Sequence, residues 1–450
     1  MAKPISAGKR EMILNGNLVK AILTLAIPVM LNSFIQSMYN LTDTFWLGKI
    51  GTTSQAAITL VSPFQNILIN FGAGITTAGA ILISQYLGAR EDKQANSMAN
   101  HICITSLGFS VICACICWLC SSGLVRWLGA EGDIYNYGLT YIRIVVMDLP
   151  FLFMINLFSS VRQAQGDTVR PLLLNILGVT INLILDPLFL VVFNWGIGGA
   201  AFATLIAKIP SAIIGFVILT GKNQLVRISF KGFRFDKNKV MSILKIGLPT
   251  GIQNMVISFS NVLVQASVNS FGSDAVAGFG AYLKVDGFNI LPVLSISMAV
   301  TTFVGQNYGA NKPERVKKGM WTALGMGVVY TVITGILLLV FADPILRLFT
   351  NDDAVAACGE TAMKYFCPFY FLLAIMNVLA GAVRGTGKSI PPMLILLFAM
   401  CIFRIFWIWL VVPLFPTIDG VYLLYPVSWV IGVVLMALYT WKGKWMPKIE

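Results

Sequence analysis

The chain has 450 residues, of which 57% are apolar and only 11% charged, with a mean hydropathy of +0.80. Soluble domains carry about 25% charged residues, so a soluble globular protein and a charged disordered chain are both excluded. The formal net charge of +13 would suit a nucleic acid, but its placement along the chain points to the membrane surface instead.

Residues 1–17 are polar and basic, and the apolar run that follows is long enough to remain in the bilayer, so no cleavable signal peptide is expected. Apolar stretches of roughly 20 residues, the length that crosses about 30 Å of hydrocarbon as a helix, then recur along the whole sequence. In the first half they lie near Leu18 to Leu47, Ala56 to Leu87, Ile102 to Ser121, Tyr137 to Val161, Leu172 to Phe193 and Gly198 to Thr220. In the second they lie near Val240 to Phe271, Val276 to Tyr308, Met320 to Phe341, Tyr365 to Val383, Met393 to Leu414 and Val421 to Trp441. The expected fold is an all-α membrane protein of about twelve spans.

The first span carries Pro28, then Gln36, Tyr39, Asn40 and Asp43 at spacings of three and four, which stacks these polar side chains along one face. The fourth carries Tyr141, Asp148 and Asn156 in a similar stripe, the fifth Asn175, Asn182 and Asp186, and the sixth Thr204. Such stripes cannot face lipid. Asn and Thr can simply join helices by hydrogen bonds, but a charge near mid-bilayer costs at least about 2.5–3.5 kcal/mol, a poor exchange where an amide would serve. Asp43 and Asp186 are therefore expected to be functional. With amide and hydroxyl oxygens nearby they form a chemically sensible cation site, and both Na⁺ and H⁺ satisfy it.

Asp148, Lys208, Lys284, Asp286 and Arg404 also fall within spans. Pairing across helices is the expectation for these groups, as is common within bundles. Lys284 and Asp286 are two apart on one helix and point to different faces, so they cannot pair with each other.

The basic run from Lys222 to Lys239 joins the two halves and alternates with Val226, Ile228, Phe230, Phe233 and Phe235, a pattern suited to the bilayer interface. With the N-terminus placed in the cytoplasm, most of the 32 Lys and Arg fall on inner loops. This orientation puts both termini in the cytoplasm, makes the run an inner linker and removes the need for a nucleic-acid partner.

The second half repeats the first, with a one-residue adjustment at most. Pro28 aligns with Pro249, Gly51 with Gly272, Gln85 with Gln306, Gly88 with Gly309, Gly166 with Gly387, Pro171 with Pro392 and Gly199 with Gly420. Asp43 faces Gln265 when shifted by one residue, or Val264 without the shift, and Asp186 faces Trp407, none of them acidic. An even number of spans per copy makes the repeats parallel. Two six-helix lobes related by a pseudo-two-fold axis along the membrane normal are expected, with residues 1–220 as the N-lobe, 221–239 as the linker and 240–450 as the C-lobe. Pro28 and Pro249, each removing a backbone donor at the same place in its copy, are the expected helix bends.

The eight cysteines include Cys113, Cys117 and Cys120 on one helical face, but with no acid or histidine nearby they read as packing residues. The single histidine, His101, begins a span beside a basic loop, and no hydrolase, P-loop or zinc-protease motif is present. An enzyme is not expected.

The segments Tyr39-Asn-Leu-Thr-Asp43-Thr-Phe-Trp-Leu-Gly48, Val161-Arg-Gln-Ala-Gln-Gly166-Asp, Val383-Arg-Gly-Thr-Gly387 and Asn182-Leu-Ile-Leu-Asp186-Pro187, in this order and spacing, resemble the multidrug and toxic compound extrusion (MATE) family over essentially the whole chain. Within it the chain is similar to the DinF-like branch. The resemblance implies a cation site at Asp43, Asn182, Asp186 and Thr204, where Na⁺ or H⁺ binds, with Tyr39, Tyr141 and Asn156 in the surrounding hydrogen-bond network. It further implies an alternating-access antiporter that exports small organic, often cationic, drug-like compounds. It would act as a monomer in a bacterial inner membrane, with no cofactor beyond the coupling ion. Gln253, Asn254 and Asn377 stand where another branch has acidic C-lobe ligands, so that site is not expected. The alternative within the same superfamily is a lipid-linked oligosaccharide flippase, which would use a cationic cavity.

Overall fold

A computed structural model describes residues 5–48, 51–222, 224–443 and 445–446. The extreme termini, Met1 and Glu450, for which a cytoplasmic placement is expected, lie outside the described residues. The first half runs through α1 (Ile5–Asn15), α2 (Leu18–Gly48), α3 (Thr52–Gly88), α4 (Asp92–Trp127), α5 (Gly132–Ala164), α6 (Val169–Pro187) and α7 (Gly196–Thr220). The second runs through α8 (Lys237–Asn269), α9 (Ser273–Asn289), α10 (Leu291–Gly309), α11 (Pro313–Val340), α12 (Ala342–Leu346), α13 (Asp353–Phe366), α14 (Tyr370–Gly385), α15 (Ile390–Leu397), α16 (Phe403–Leu410), α17 (Ile418–Tyr422) and α18 (Leu424–Lys442). Among the described residues 12 helical spans are long and apolar enough to cross a membrane. This is an all-α, multi-pass membrane protein.

The repeat reappears in backbone conformation. Gly51 before α3 and Gly272 before α9 both have positive φ, 114° and 98°, as do Gly166 and Gly387, at 79° and 86°. A side chain at Gly51 or Gly272 would meet open space, so the left-handed backbone is what requires glycine there. Arg90 and Asn311, also at matching points, carry φ of 60° and 51° without being glycine. Pro28 lies inside α2 and Pro249 inside α8, and neither ends its helix.

The chain forms two compact units, one comprising Met1–Glu11 and Leu31–Gly251, the other Met12–Met30 and Ile252–Glu450. The divisions fall just beyond Pro28 and Pro249. In the first unit, Ile75, Ile81, Met98, Ile102, Leu157 and Phe158 form a buried core between α3, α4 and α5. Gly74 of α3 meets the backbone of Gly247 and Gly251 in the first turns of α8, where any side chain would clash. The second unit is built around stacked aromatics, among them Phe279, Phe366, Tyr370, Tyr422 and Trp429.

The linker is held to the protein. Val226 and Ile228 are buried in the first unit's core, while Phe230 and Phe235 stay exposed. Asn100 of α4 grips the linker backbone at Ser229 twice, donating to its carbonyl at 2.8 Å and accepting from its N–H at 2.9 Å. His101, which is buried, accepts the Asp236 N–H at 2.9 Å. Only the phenylalanines of the alternating pattern are thus left for a bilayer interface.

Candidate functional site

The polar stripes of α2, α5, α6 and α7 meet inside the first unit. Asn182 and Asp186, one turn apart on α6, are both buried, Asp186 completely, and the Asn182 amide donates to Asp186 Oδ1 at 3.3 Å. The other oxygen of each residue, Asn182 Oδ1 and Asp186 Oδ2, is buried with no hydrogen-bond partner. Unsatisfied buried oxygens are costly, and each calls for a donor or a cation.

Neighbouring helices supply the rest of the cluster. The Tyr39 hydroxyl of α2 lies 3.4 Å from the Thr204 hydroxyl of α7, which itself donates to the Ala200 carbonyl at 3.2 Å. Asp43, half-buried one turn beyond Tyr39, interacts electrostatically with Asp186, Tyr39 and Tyr141. Gln36 donates to Asn40 at 3.4 Å along the same face of α2. Asn156 lies farther along α5, and among the described residues its side chain makes no hydrogen bond to this cluster; its carbonyl accepts from Ser160 at 2.9 Å.

Directly after Asp186, Pro187 ends α6 and the chain widens into a π-helical turn, Leu188–Val192. Such turns shift the side-chain register and recur at functional sites. Proline removes the donor that would otherwise hold the backbone in regular helix.

The donor set fits a hard cation or a proton. Carboxylate, amide and hydroxyl oxygens are the ligands such ions prefer, and among the described residues no group of three or more His, Cys, Asp or Glu is placed to hold a metal. All eight cysteines are free thiols.

The remaining span-borne charges are distributed in different ways. Lys208 of α7 forms an ion pair with Asp148 of α5, one of the cross-helix pairings expected from the sequence. Among the described residues Arg404 is buried without a carboxylate partner: its guanidinium donates to Ser428 at 3.2 Å and Asn261 at 3.3 Å and lies 4.4 Å from the centre of the Tyr425 ring. Asp286 is met by the hydroxyls of Tyr282 and Tyr370, which are 3.0 Å from each other. Lys284 lies over the Phe349 ring and lines an open cavity of about 380 Å³ with Ala277, Gly280 and Thr350.

The profile of the MatE family matches residues 28–188 and 249–410, one segment in each half of the repeat. The chain is 28% identical to the probable multidrug resistance protein YpnP of Bacillus subtilis over 86% of this chain and 87% of that protein. To the probable multidrug resistance protein NorM of Thermotoga maritima it is also 28% identical, over 84% and 82% of the two chains. Its fold matches that of an outward-facing multidrug resistance MATE family transporter with a TM-score of 0.90 over 98% of both chains, at 23% identity. With the family profile covering both copies of the repeat, the chain belongs to the MatE family of membrane transporters.

Proposed function

We propose that this protein is a secondary active multidrug exporter, in which an inward-moving H⁺ or Na⁺ drives the exit of organic, often cationic, drug-like compounds by alternating access. Coupling takes place at Asp43 and Asp186, assisted by Asn182 and Thr204, with Tyr39, Tyr141, Gln36 and Asn156 around them. The protein works as a monomer in a bacterial inner membrane, with both termini in the cytoplasm, the first repeat carrying the cation site and the 221–239 linker on the inner face.

The observation that carries this reading is the buried Asp186 with its free Oδ2, beside the free Oδ1 of Asn182 and in electrostatic contact with Asp43. Relatives named as multidrug resistance proteins supply the class of cargo. The energetics are sufficient: one charge crossing 100 mV releases about 2.3 kcal/mol, roughly a fiftyfold accumulation. Where one monovalent cation enters as one monovalent drug leaves, that electrical contribution cancels and the chemical gradient of the ion drives export.

Ethidium efflux from cells tests the reading by comparing the parent with Asp43→Asn and Asp186→Asn. Loss of efflux at normal membrane abundance supports it, and imposing Na⁺ or pH gradients separately on membrane vesicles identifies the ion. Unchanged efflux would refute the coupling role. A flippase would ignore the dye and restore envelope synthesis instead.

A further inference from the structure

Lys208 stands four residues beyond Thr204 on α7, one turn along the same face. Asp148 stands seven beyond Tyr141 on α5, so it too extends a stripe that belongs to the cation site. The two meet in a direct ion pair through Asp148 Oδ2. Asp148 is 3% exposed and its Oδ1 has no partner, so the pair is incompletely satisfied. A buried pair with a purely structural role is stabilising only when its remaining lone pairs are matched.

Lys208 has a second acidic neighbour, since its charge also acts on Asp43. Of the titratable groups facing this part of the cluster, Asp43 from α2 and Asp148 from α5 act on Lys208 directly, while Tyr39 from α2, Tyr141 from α5 and Asp186 from α6 are linked to it through Asp43. Two carboxyl groups, Asp148 and Asp43, thus share one ammonium, which carries three donors on a flexible stem. An arriving ion and the Lys208 ammonium compete for the same negative charge.

We propose that Lys208 is a tethered competitor of the coupling cation, held by Asp148 when Asp43 is loaded and drawn toward Asp43 when it is empty. The proposal rests on the coupling reading above and adds a residue pair that sets how tightly the ion is held. Asp148 is the positioning residue: it keeps the ammonium away from Asp43 and so lets the outside ion in. Release of the ion on the other side is assisted because the vacated charge is not left bare.

The test uses the full chain in everted membrane vesicles and reads the cation concentration that half-saturates ethidium transport, once by varying Na⁺ and once by varying pH. Removing the competitor with its partner, in Lys208→Gln/Asp148→Asn, is expected to lower that concentration at least about tenfold, the scale expected for a unit charge acting across a partly screened site. Asp148→Asn alone frees the ammonium for Asp43 and is expected to raise it at least about tenfold. Lys208→Arg, which keeps the charge, holds the midpoint within about threefold. A pair that only braces the helices would lower abundance or maximal rate and leave the midpoint alone. Midpoints within twofold of the parent in both the double variant and Asp148→Asn overturn the proposal, and so does a shift of both in the same direction. The Asp43→Asn control separates the two levels: if it keeps the parental cation dependence, the coupling reading itself fails, whereas if it abolishes that dependence and the midpoints stay fixed, only the competitor is lost.

Discussion

The two copies of the repeat share their spans and turns but differ in their polar centres. In the first, Asp186 and Asn182 leave two buried oxygens without partners. In the second, the residues at and beside the matching positions are neutral: Val264, buried, aligns with Asp43, its neighbour Gln265 donates to Asn269 at 3.0 Å, and the Trp407 indole, aligned with Asp186, donates to the Gly420 carbonyl at 2.8 Å. A fully buried charge of the second copy, Arg404, is wrapped by an amide, a hydroxyl and an aromatic face. Duplication preserves backbone requirements, such as positive φ at Gly51 and Gly272, because both copies must turn at the same place. Ion chemistry is under no such constraint. The second copy also keeps partnerless buried oxygens, among them Gln253 Oε1 and Asp286 Oδ1, but it has no carboxylate at the positions that match Asp43 and Asp186.

The comparison breaks most sharply at the acids themselves. Asp43→Asn and Asp186→Asn are expected to lower ethidium efflux at least about tenfold, a loss of about 1.4 kcal/mol or more in coupling free energy, while Gln265→Ala stays within about twofold of the parent. Immunoblots of membrane fractions separate loss of transport from loss of protein. Equal losses from Gln265→Ala and Asp43→Asn would show that the two copies contribute alike.

A stability experiment separates the ion pair from the open oxygens. Lys208→Gln leaves Asp148 buried without its partner, and breaking a buried pair in this way costs about 3–5 kcal/mol. The apparent Tm of the detergent-purified variant should fall clearly, and Asp148→Asn in the same chain should recover most of the loss, since two neutral side chains replace two charges. Asp186→Asn should be mild by this measure, because its partner Asn182 is neutral and one oxygen has no partner to lose.

Adding charge to the second copy is the converse test. Gln265→Glu, one turn from the end of α8, is expected to cost up to about 2.5–3.5 kcal/mol, the value for a charge at a helix centre in the bilayer, if the carboxylate stays ionised. The readout is a lower apparent Tm with no new Na⁺ or pH dependence of efflux. A gain of cation dependence would mean that a carboxylate alone makes a site, without the free amide oxygen and hydroxyls that surround Asp186.

Much of this was legible in the sequence because it depends on spacing. Periodicity placed Gln36, Tyr39 and Asp43 on one face, the repeat predicted two sets of spans, and insertion cost singled out the acids. What spacing leaves open is rotation of one helix against another. Tyr141 and Asp148 lie on one stripe of α5, and Thr204 and Lys208 on one stripe of α7, yet only packing of α5 against α7 shows that Asp148 meets Lys208 rather than another charge. The same limit applies to the linker. Alternating apolar residues mark Val226 and Ile228 as facing something greasy, and only the Asn100 clamp shows that protein, rather than lipid, covers them. Asn156 illustrates the opposite case, a residue on the right stripe that lies too far along its helix to hydrogen-bond with the cluster.

The smallest effect is expected where the second copy is most fully satisfied. Trp407→Phe removes the indole donor to the Gly420 carbonyl and keeps a smaller aromatic ring against Phe403, whose ring centre is 5.7 Å away. Loss of one hydrogen bond at a half-buried site is worth about 0.5–1.5 kcal/mol, so the apparent Tm should fall modestly. Efflux and its cation midpoint should stay within about twofold of the parent. This is the position that aligns with Asp186, and a large change in cation dependence there would mean that the second copy takes part in coupling through a neutral side chain. A modest loss of stability alone is what a spent site predicts: the indole offers no oxygen to an ion, and its donor is already committed to a backbone carbonyl.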